Sequence, residues 1–234
     1  MIPLRDINPT RRVPYVTYTF IAVNIAVFVY QYIVLTPTMN EALVFRHGVV
    51  PHFLLSGYGP SLSTPVTSMF MHGGLGHLMS NMWFLHVFGD NVEDALGRGR
   101  YTFFYLFTGV VAVLAHAFIQ PDSEMPLVGA SGAISGVLGG YVLLYPRARV
   151  VTFVPIFFFF ELPAVFFILV WFGMQVLSGY GSLSSTATAG IAFFAHIGGF
   201  IAGVAFLLLG GRPKPRGPVT YLGPRVSTRE LRRR

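Results

Sequence analysis

The sequence predicts an all-α polytopic membrane protein of six spanning helices, with both termini on the cytoplasmic side. Three observations carry this prediction. Of 234 residues, 53% are apolar and 11% charged, with a mean hydropathy of +0.63; an ordinary soluble domain is roughly 25% charged. Runs free of Asp, Glu, Lys and Arg recur at Val13–Asn40, Tyr101–Pro121, Met125–Pro146 and Leu162–Gly211, and a spanning helix needs ~20 such residues. The basic residues fall almost wholly on alternate connections. A small soluble enzyme and a disordered chain are excluded. With no cysteine, so are a disulfide, a thiolate nucleophile and a zinc finger.

Residues 1–14 form a cytoplasmic N-terminal segment carrying Arg5, Arg11 and Arg12. Tyr15–Leu35 follows as the first span and has no small-x-small cleavage site at its far end, so a retained helix is expected and not a removed signal. The connection at about 36–71 carries only Glu41 and Arg46 as charges, while Val44, Phe45, Val49, Val50, Phe53, Leu54 and Leu55 are apolar; it is expected to lie in the interface. The further spans are placed at about Gly73–Gly89, Tyr101–Gln120, Ser131–Tyr145, Leu162–Ser178 and Gly190–Leu209. Gly97-Arg98-Gly99-Arg100, Pro121-Asp122-Ser123-Glu124, Pro146-Arg147-Ala148-Arg149 and the Ser/Gly/Thr-rich Ser178–Gly190 separate them. Residues 15–210 are thus the membrane domain and 211–234 a basic cytoplasmic tail.

Lys and Arg are retained preferentially on the cytoplasmic side. With the N-terminus inside, only Arg46 among the 16 basic residues lies outside, which argues for N-in and C-in. The net charge of +7 is then a topology signal plus a tail, suited to anionic headgroups and not to nucleic acid.

Polar groups at membrane depth cost free energy unless partnered, so they are the first place to look for function. Ser131 opens the fourth span within Gly129-Ala130-Ser131-Gly132, His196 lies in the sixth within Ala195-His196-Ile197-Gly198-Gly199, and Asn81 follows His77 by one turn in the second. At 1.5 Å rise per residue, Ser131 and His196 both lie roughly 20 Å above the cytoplasmic ends of their helices, about 10 Å below the outer surface of a ~30 Å core. Each feature alone has a plainer reading. Gly132, Gly136 and Gly140, and likewise Gly199 and Gly203, are small-xxx-small stripes that suit close helix packing; a lone Ser or His in a span usually makes an interhelical hydrogen bond. Their coincidence at one depth is what points to a serine hydrolase.

In that chemistry neutral His196 takes the Ser131 proton as the hydroxyl attacks a peptide carbonyl, then returns it to the leaving amine. No Asp or Glu is placed at this depth, so a Ser-His dyad is expected without a third acid. The His77 imidazole, the Asn81 amide and the Ser131 backbone N–H are the candidate oxyanion donors. No His-Glu-x-x-His occurs, Asp90 follows Val87-Phe88-Gly89 and completes no Gly-x-Gly-Asp, and Ala133 breaks a Gly-x-Ser-x-Gly elbow. His47, His52, His72, His86 and His116 are scattered, and no metal site is expected.

The residues His72-Gly-Gly-Leu-Gly-His77-Leu-Met-Ser-Asn81, Gly129-Ala-Ser131-Gly132, and Ala195-His196-Ile-Gly-Gly199 with Gly203 resemble the motifs of the rhomboid intramembrane serine proteases, and the resemblance runs from the first span to the sixth. It implies Ser131 as nucleophile, His196 as base, and His77 with Asn81 as oxyanion donors. It further implies a compact six-helix bundle with a water-filled cavity open to the outer face, an interfacial first loop, no cofactor, and single-span membrane proteins as substrates. Two places depart from the family pattern. Ser63-Thr64-Pro65-Val66 lacks the Trp-Arg pair of many members, and Ser135 stands where many have an aromatic packed on the base, so a hydrogen bond is expected to hold His196 in its place.

Two other readings compete for the same residues. A six-span transporter or channel would use Asn24, Gln31, Asn81, Gln175 and His196 as a polar path, but no inverted repeat is detectable. An inactive rhomboid-like binding protein would lack the Ser or the His, and both are present. The expected location is the prokaryotic cell (inner) membrane. The fifth span, bulky with Phe157–Phe160, Phe166, Phe167, Trp171 and Phe172, is the candidate gate for substrate.

Overall fold

The computed structural model of the chain describes residues 1–57, 63–154, 158–182 and 193–213. Its long helices are α1 (Tyr15–Val29, continued by a π-helical turn Tyr30–Val34), α5 (Leu75–Leu96), α6 (Arg98–Ile119), α7 (Ser131–Leu144), α8 (Ala164–Ser182) and α9 (Phe193–Leu209). Three short helices, α2 (Pro37–His47), α3 (Pro51–Ser56) and α4 (Thr64–Thr67), lie in the first connection.

Three of the long helices, Tyr15–Val34, Arg98–Ile119 and Ala164–Gly181, are long and apolar enough to cross a membrane. By the same measure α7 and α9 are shorter apolar helices, and α5 carries Asp90, Glu93 and Asp94 in its last two turns. Glu93 has a structural use: its carboxylate accepts from the backbone N–H of Val16 (3.0 Å) and Thr17 (2.8 Å) and from the Thr17 hydroxyl (2.8 Å). These are first-turn groups of α1 with no intrahelical acceptor, so an anion from α5 caps α1 and holds the two helices together.

α7 is the axis of the bundle. Of its residues only Ser131, Val142 and Leu143 are not buried. The stripe Gly132, Gly136 and Gly140 faces α6, where an added Cβ would meet Ala112, Thr108 and Phe104 in turn. The α9 stripe faces α7: a Cβ at Gly199 would fall onto the Gly132 carbonyl, and one at Gly203 onto the Gly136 carbonyl. The α9 glycines thus lie against the backbone of the α7 stripe, whose own Cβ directions point to α6. Each lets a different neighbour approach the backbone, as small residues do where helices pack in lipid.

The all-α expectation is corrected by a three-stranded antiparallel sheet, β1 (Ile2–Asp6), β2 (Arg149–Val154) and β3 (Phe158–Pro163), in the order β1-β2-β3. Ile2 pairs with Phe153, and Arg149 with Pro163. The fifth helix accordingly begins at Ala164 and not at Leu162, and Phe158–Phe160 belong to a strand, exposed, instead of the gate helix. An apolar run of Phe reads as span or strand alike; pairing with β-branched Val150, Val151 and Thr152 decides for strand. The sheet brings the N-terminal segment and the connection after α7 to one end of the bundle. At the other end a bridge between Val49 and Leu127 ties the first connection to the one before α7.

At the sheet end Asp6 accepts from the Tyr141 hydroxyl and from Asn91 Nδ2, each at 2.7 Å. Burial, with a contribution from Asp90, outweighs the Tyr141 hydrogen bond and raises the Asp6 pKa to about 7. The tail expected at 211–234 lies outside the described residues beyond Pro213, as does the expected break at Ser178–Gly190 from Leu183 onward.

Candidate active site

Ser131 is the first residue of α7, set up by Gly129. Gly129 has φ +127°, and a Cβ there would sit 2.7 Å from Cε1 of His77, so the backbone can pass this ring only as glycine. Its N–H donates to the Ser68 carbonyl (2.9 Å), anchoring the turn. The Ser131 N–H, in the first turn of α7, has no acceptor within its own helix.

His196 lies in the first turn of α9, and its Nε2 is 2.8 Å from Ser131 Oγ. Its Nδ1 is 2.7 Å from Gln175 Oε1 on α8. An amide oxygen only accepts, so Nδ1 carries the proton and Nε2 presents a lone pair toward the serine hydroxyl. The close α7–α9 contact at Gly199 begins one turn below this pair and fixes the separation of the two helices.

His77 and Asn81 stand one turn apart on α5, and with Ser131, Ser135, Trp171, Gln175 and His196 they line a cleft of about 160 Å³. The Asn81 Nδ2 donates to the His77 carbonyl (2.9 Å), which leaves its second N–H for another acceptor. The structure thus brings together all four side chains singled out from the sequence. A carbonyl carbon approached by Ser131 Oγ would have imidazole, amide and backbone donors nearby for its oxygen, the layout an oxyanion requires.

Two contacts answer the departures noted in the sequence. Ser135 turns its hydroxyl back to the Ser131 carbonyl (2.7 Å) and leaves the base alone. The ring beside His196 is Trp171 of α8, with centroids 6.0 Å apart. In the first connection, Thr67 Oγ1 donates to the His47 carbonyl (2.7 Å), and Gln31 accepts from the His72 N–H (3.1 Å). Sequence reasoning placed Gln175 only in a transport path; its signal was a lone amide in an apolar span. Of the other residues of that path, Gln31 is engaged by the loop and Asn24 donates to the Phe20 carbonyl of its own helix (2.7 Å). Among the described residues no group of His, Asp and Glu could hold a metal ion.

The family profile described as Rhomboid domain matches residues 60–213. Rhomboid-like protein 11, chloroplastic, of Arabidopsis thaliana is 42% identical over 79 residues, 34% of this chain and 28% of the relative. Rhomboid protease GluP of Bacillus subtilis is 35% identical over 136 residues, 57% of this chain and 26% of the relative. Rhomboid protein 1, mitochondrial, of Saccharomyces cerevisiae is 27% identical over 158 residues, 65% of this chain and 43% of the relative. The chain therefore spans less than half the length of these curated relatives.

Proposed function

The chain belongs to the rhomboid family, and from that premise we propose that it is an intramembrane serine endopeptidase that cuts single-span membrane proteins with a Ser131–His196 dyad. The observation that carries the reading is the 2.8 Å approach of Ser131 Oγ to His196 Nε2 in a cleft that His77 and Asn81 also line. The Bacillus relative bears the name of a protease.

In this reading Ser131 Oγ attacks the substrate carbonyl while His196 Nε2 takes its proton. The oxyanion is held by the free Asn81 N–H, His77 and the Ser131 backbone N–H. His196 then protonates the leaving amine, and water hydrolyses the acyl-enzyme with His196 again as base. A fixed oxyanion donor is worth about 3–4 kcal/mol to such a transition state. No cofactor takes part.

We read the chain as six spans, N-in and C-in, with the helices α1 and α5 to α9 as the spans. The prokaryotic inner membrane is the proposed location, and the Arg-rich sheet end and tail face its cytoplasmic side. A substrate helix must expose a carbonyl within the bilayer, so small or helix-breaking residues should mark the cleavage site.

The test is a serine-directed phosphonate together with a panel of single-span substrates in proteoliposomes. Labelling confined to Ser131, and cleavage lost in Ser131→Ala, is the expected result. Absence of both in several detergents and lipids would favour a non-enzymatic membrane protein.

A further inference from the structure

We propose that Gln175 is the positioning residue of the base, and that α8 thereby contributes to catalysis as a third arm of the site. The inference rests on the serine-protease reading above. Its geometry is a relay across three helices: Gln175 Oε1 on α8, 2.7 Å from His196 Nδ1 on α9, and His196 Nε2, 2.8 Å from Ser131 Oγ on α7. Because the amide oxygen can only accept, this bond selects the one neutral tautomer whose lone pair faces the serine.

A neutral partner suits this place. Among the described residues, the ionisable groups close enough to act on His196 are His77 on α5 and His116 on α6. A carboxylate behind the base would be a buried anion whenever the imidazole is neutral, and desolvating it is expensive in a bilayer. An amide gives orientation without that cost.

The same helix holds the ring from a second direction. Trp171 stands one turn before Gln175, on the same face of α8, and its ring lies 6.0 Å from that of His196. A pair four residues apart therefore grips the imidazole by a hydrogen bond and by a wall. If α8 swings outward, both are released at once, so the base is correctly held only while α8 is seated. Substrate access and base orientation are coupled through one helix.

The experiment uses the full chain in proteoliposomes and compares Gln175→Leu and Gln175→Glu with wild type. Gln175→Leu should lower kcat roughly 10–100-fold, as loss of an orienting hydrogen bond to a functional histidine typically does, with KM little changed and phosphonate labelling of Ser131 slowed in parallel. Gln175→Glu restores an acceptor and should recover most of kcat, while moving the acid limb of the pH–rate profile to higher pH because its carboxylate holds the protonated ring. In protein carrying ¹⁵N-histidine, wild type should show the His196 proton on Nδ1 and Gln175→Leu should lose that signal.

A Gln175→Leu profile superimposable on wild type, or a wild-type spectrum with the proton on Nε2, overturns the proposal. If Gln175→Leu does not fold, Gln175→Glu decides, and an unshifted acid limb overturns it. Wild type that labels and cleaves while the Gln175 variants behave like it removes this inference and leaves the protease reading standing. Wild type that does neither removes both.

Discussion

The helices α8 and α9 border the same cleft but are held in opposite ways. α9 meets α7 backbone to backbone, with Gly199 and Gly203 over the carbonyls of Gly132 and Gly136. α8 meets its neighbours through rings: Phe172 stacked on Phe200 (4.3 Å), Phe167 beside Phe88 (6.2 Å), and Phe84 of α5 beside Trp171 (6.4 Å). In lipid this difference has energetic weight. A ring that leaves a protein neighbour finds acyl chains nearly as apolar, whereas the fit of a glycine against a carbonyl has no lipid substitute. Ser131 and His196 therefore sit on the closely packed pair, and Gln175 on the replaceable one.

The largest expected effect tests whether the closely packed pair carries the chemistry. Ser131→Ala and His196→Ala should each abolish cleavage of a transmembrane substrate in a folded protein, and the double variant should be no worse than either alone. Turnover in proteoliposomes measures this; activity of Ser131→Ala within about tenfold of wild type contradicts an obligatory covalent step.

Next comes α5, which borders the cleft from the other side. Asn81→Ala should lower kcat by roughly 10²–10³ with KM nearly unchanged, because the bond strengthens only when the oxyanion forms. A loss confined to KM would make Asn81 a binding or packing residue.

Gly199→Ala then probes the close packing itself. Its Cβ would fall onto the Gly132 carbonyl, so α9 must shift away from α7 and carry His196 with it. A displacement near 1 Å at a reacting pair can cost about a hundredfold, and a loss of that size in kcat is expected. On the other side, Phe84→Ala removes ring contacts with Phe167 (6.3 Å) and Trp171 (6.4 Å) without touching the dyad. It should change turnover of a helical substrate by no more than a few-fold, far less than Gly199→Ala. Equal losses from the two substitutions would erase the contrast between the helices.

Much of the site was legible because burial in a bilayer makes polar residues rare. Ser131, His196, His77 and Asn81 stand out against apolar neighbours, and helical rise places Ser131 and His196 at one level. The same rarity flagged Gln175, but a partner 21 residues along the chain on another helix cannot be assigned from spacing. The glycine stripes likewise mark where helices close up: α9 does pack on Gly132 and Gly136, but spacing alone could not show that α6 packs against the Cβ side of the same stripe. The sheet was hidden for a different reason. Phe158–Pro163 is as apolar as a span, and only its pairing with β2, itself paired with β1 at the distant N-terminus, identifies it as a strand.

That sheet gives the smallest expected effect, and it bears on why α8 is not simply loose. β3 ends at Pro163 and α8 begins at Ala164, so the strand order β1-β2-β3 ties the start of α8 to the N-terminal segment. Asp6, at the end of β1, joins this sheet to α7 through Tyr141 and to α5 through Asn91. Its pKa is raised from 3.8 to about 7, with burial the main cause. A carboxyl whose folded-state pKa is raised holds its proton more tightly when folded. Its contribution to stability is therefore largest below the unfolded value near 4 and is lost as pH rises through about 7. Thermal unfolding of the wild type should accordingly shift to lower temperature between pH 5 and pH 8, and Asp6→Asn, which keeps the shape and cannot ionise, should flatten most of that fall. With the tether made insensitive to pH, cleavage in Asp6→Asn should also change less than in wild type across the same interval. A wild-type unfolding temperature that is flat over this range, or an Asp6→Asn profile that falls as steeply, would detach Asp6 from the anchoring of α8 and leave its seating to the aromatic seam alone.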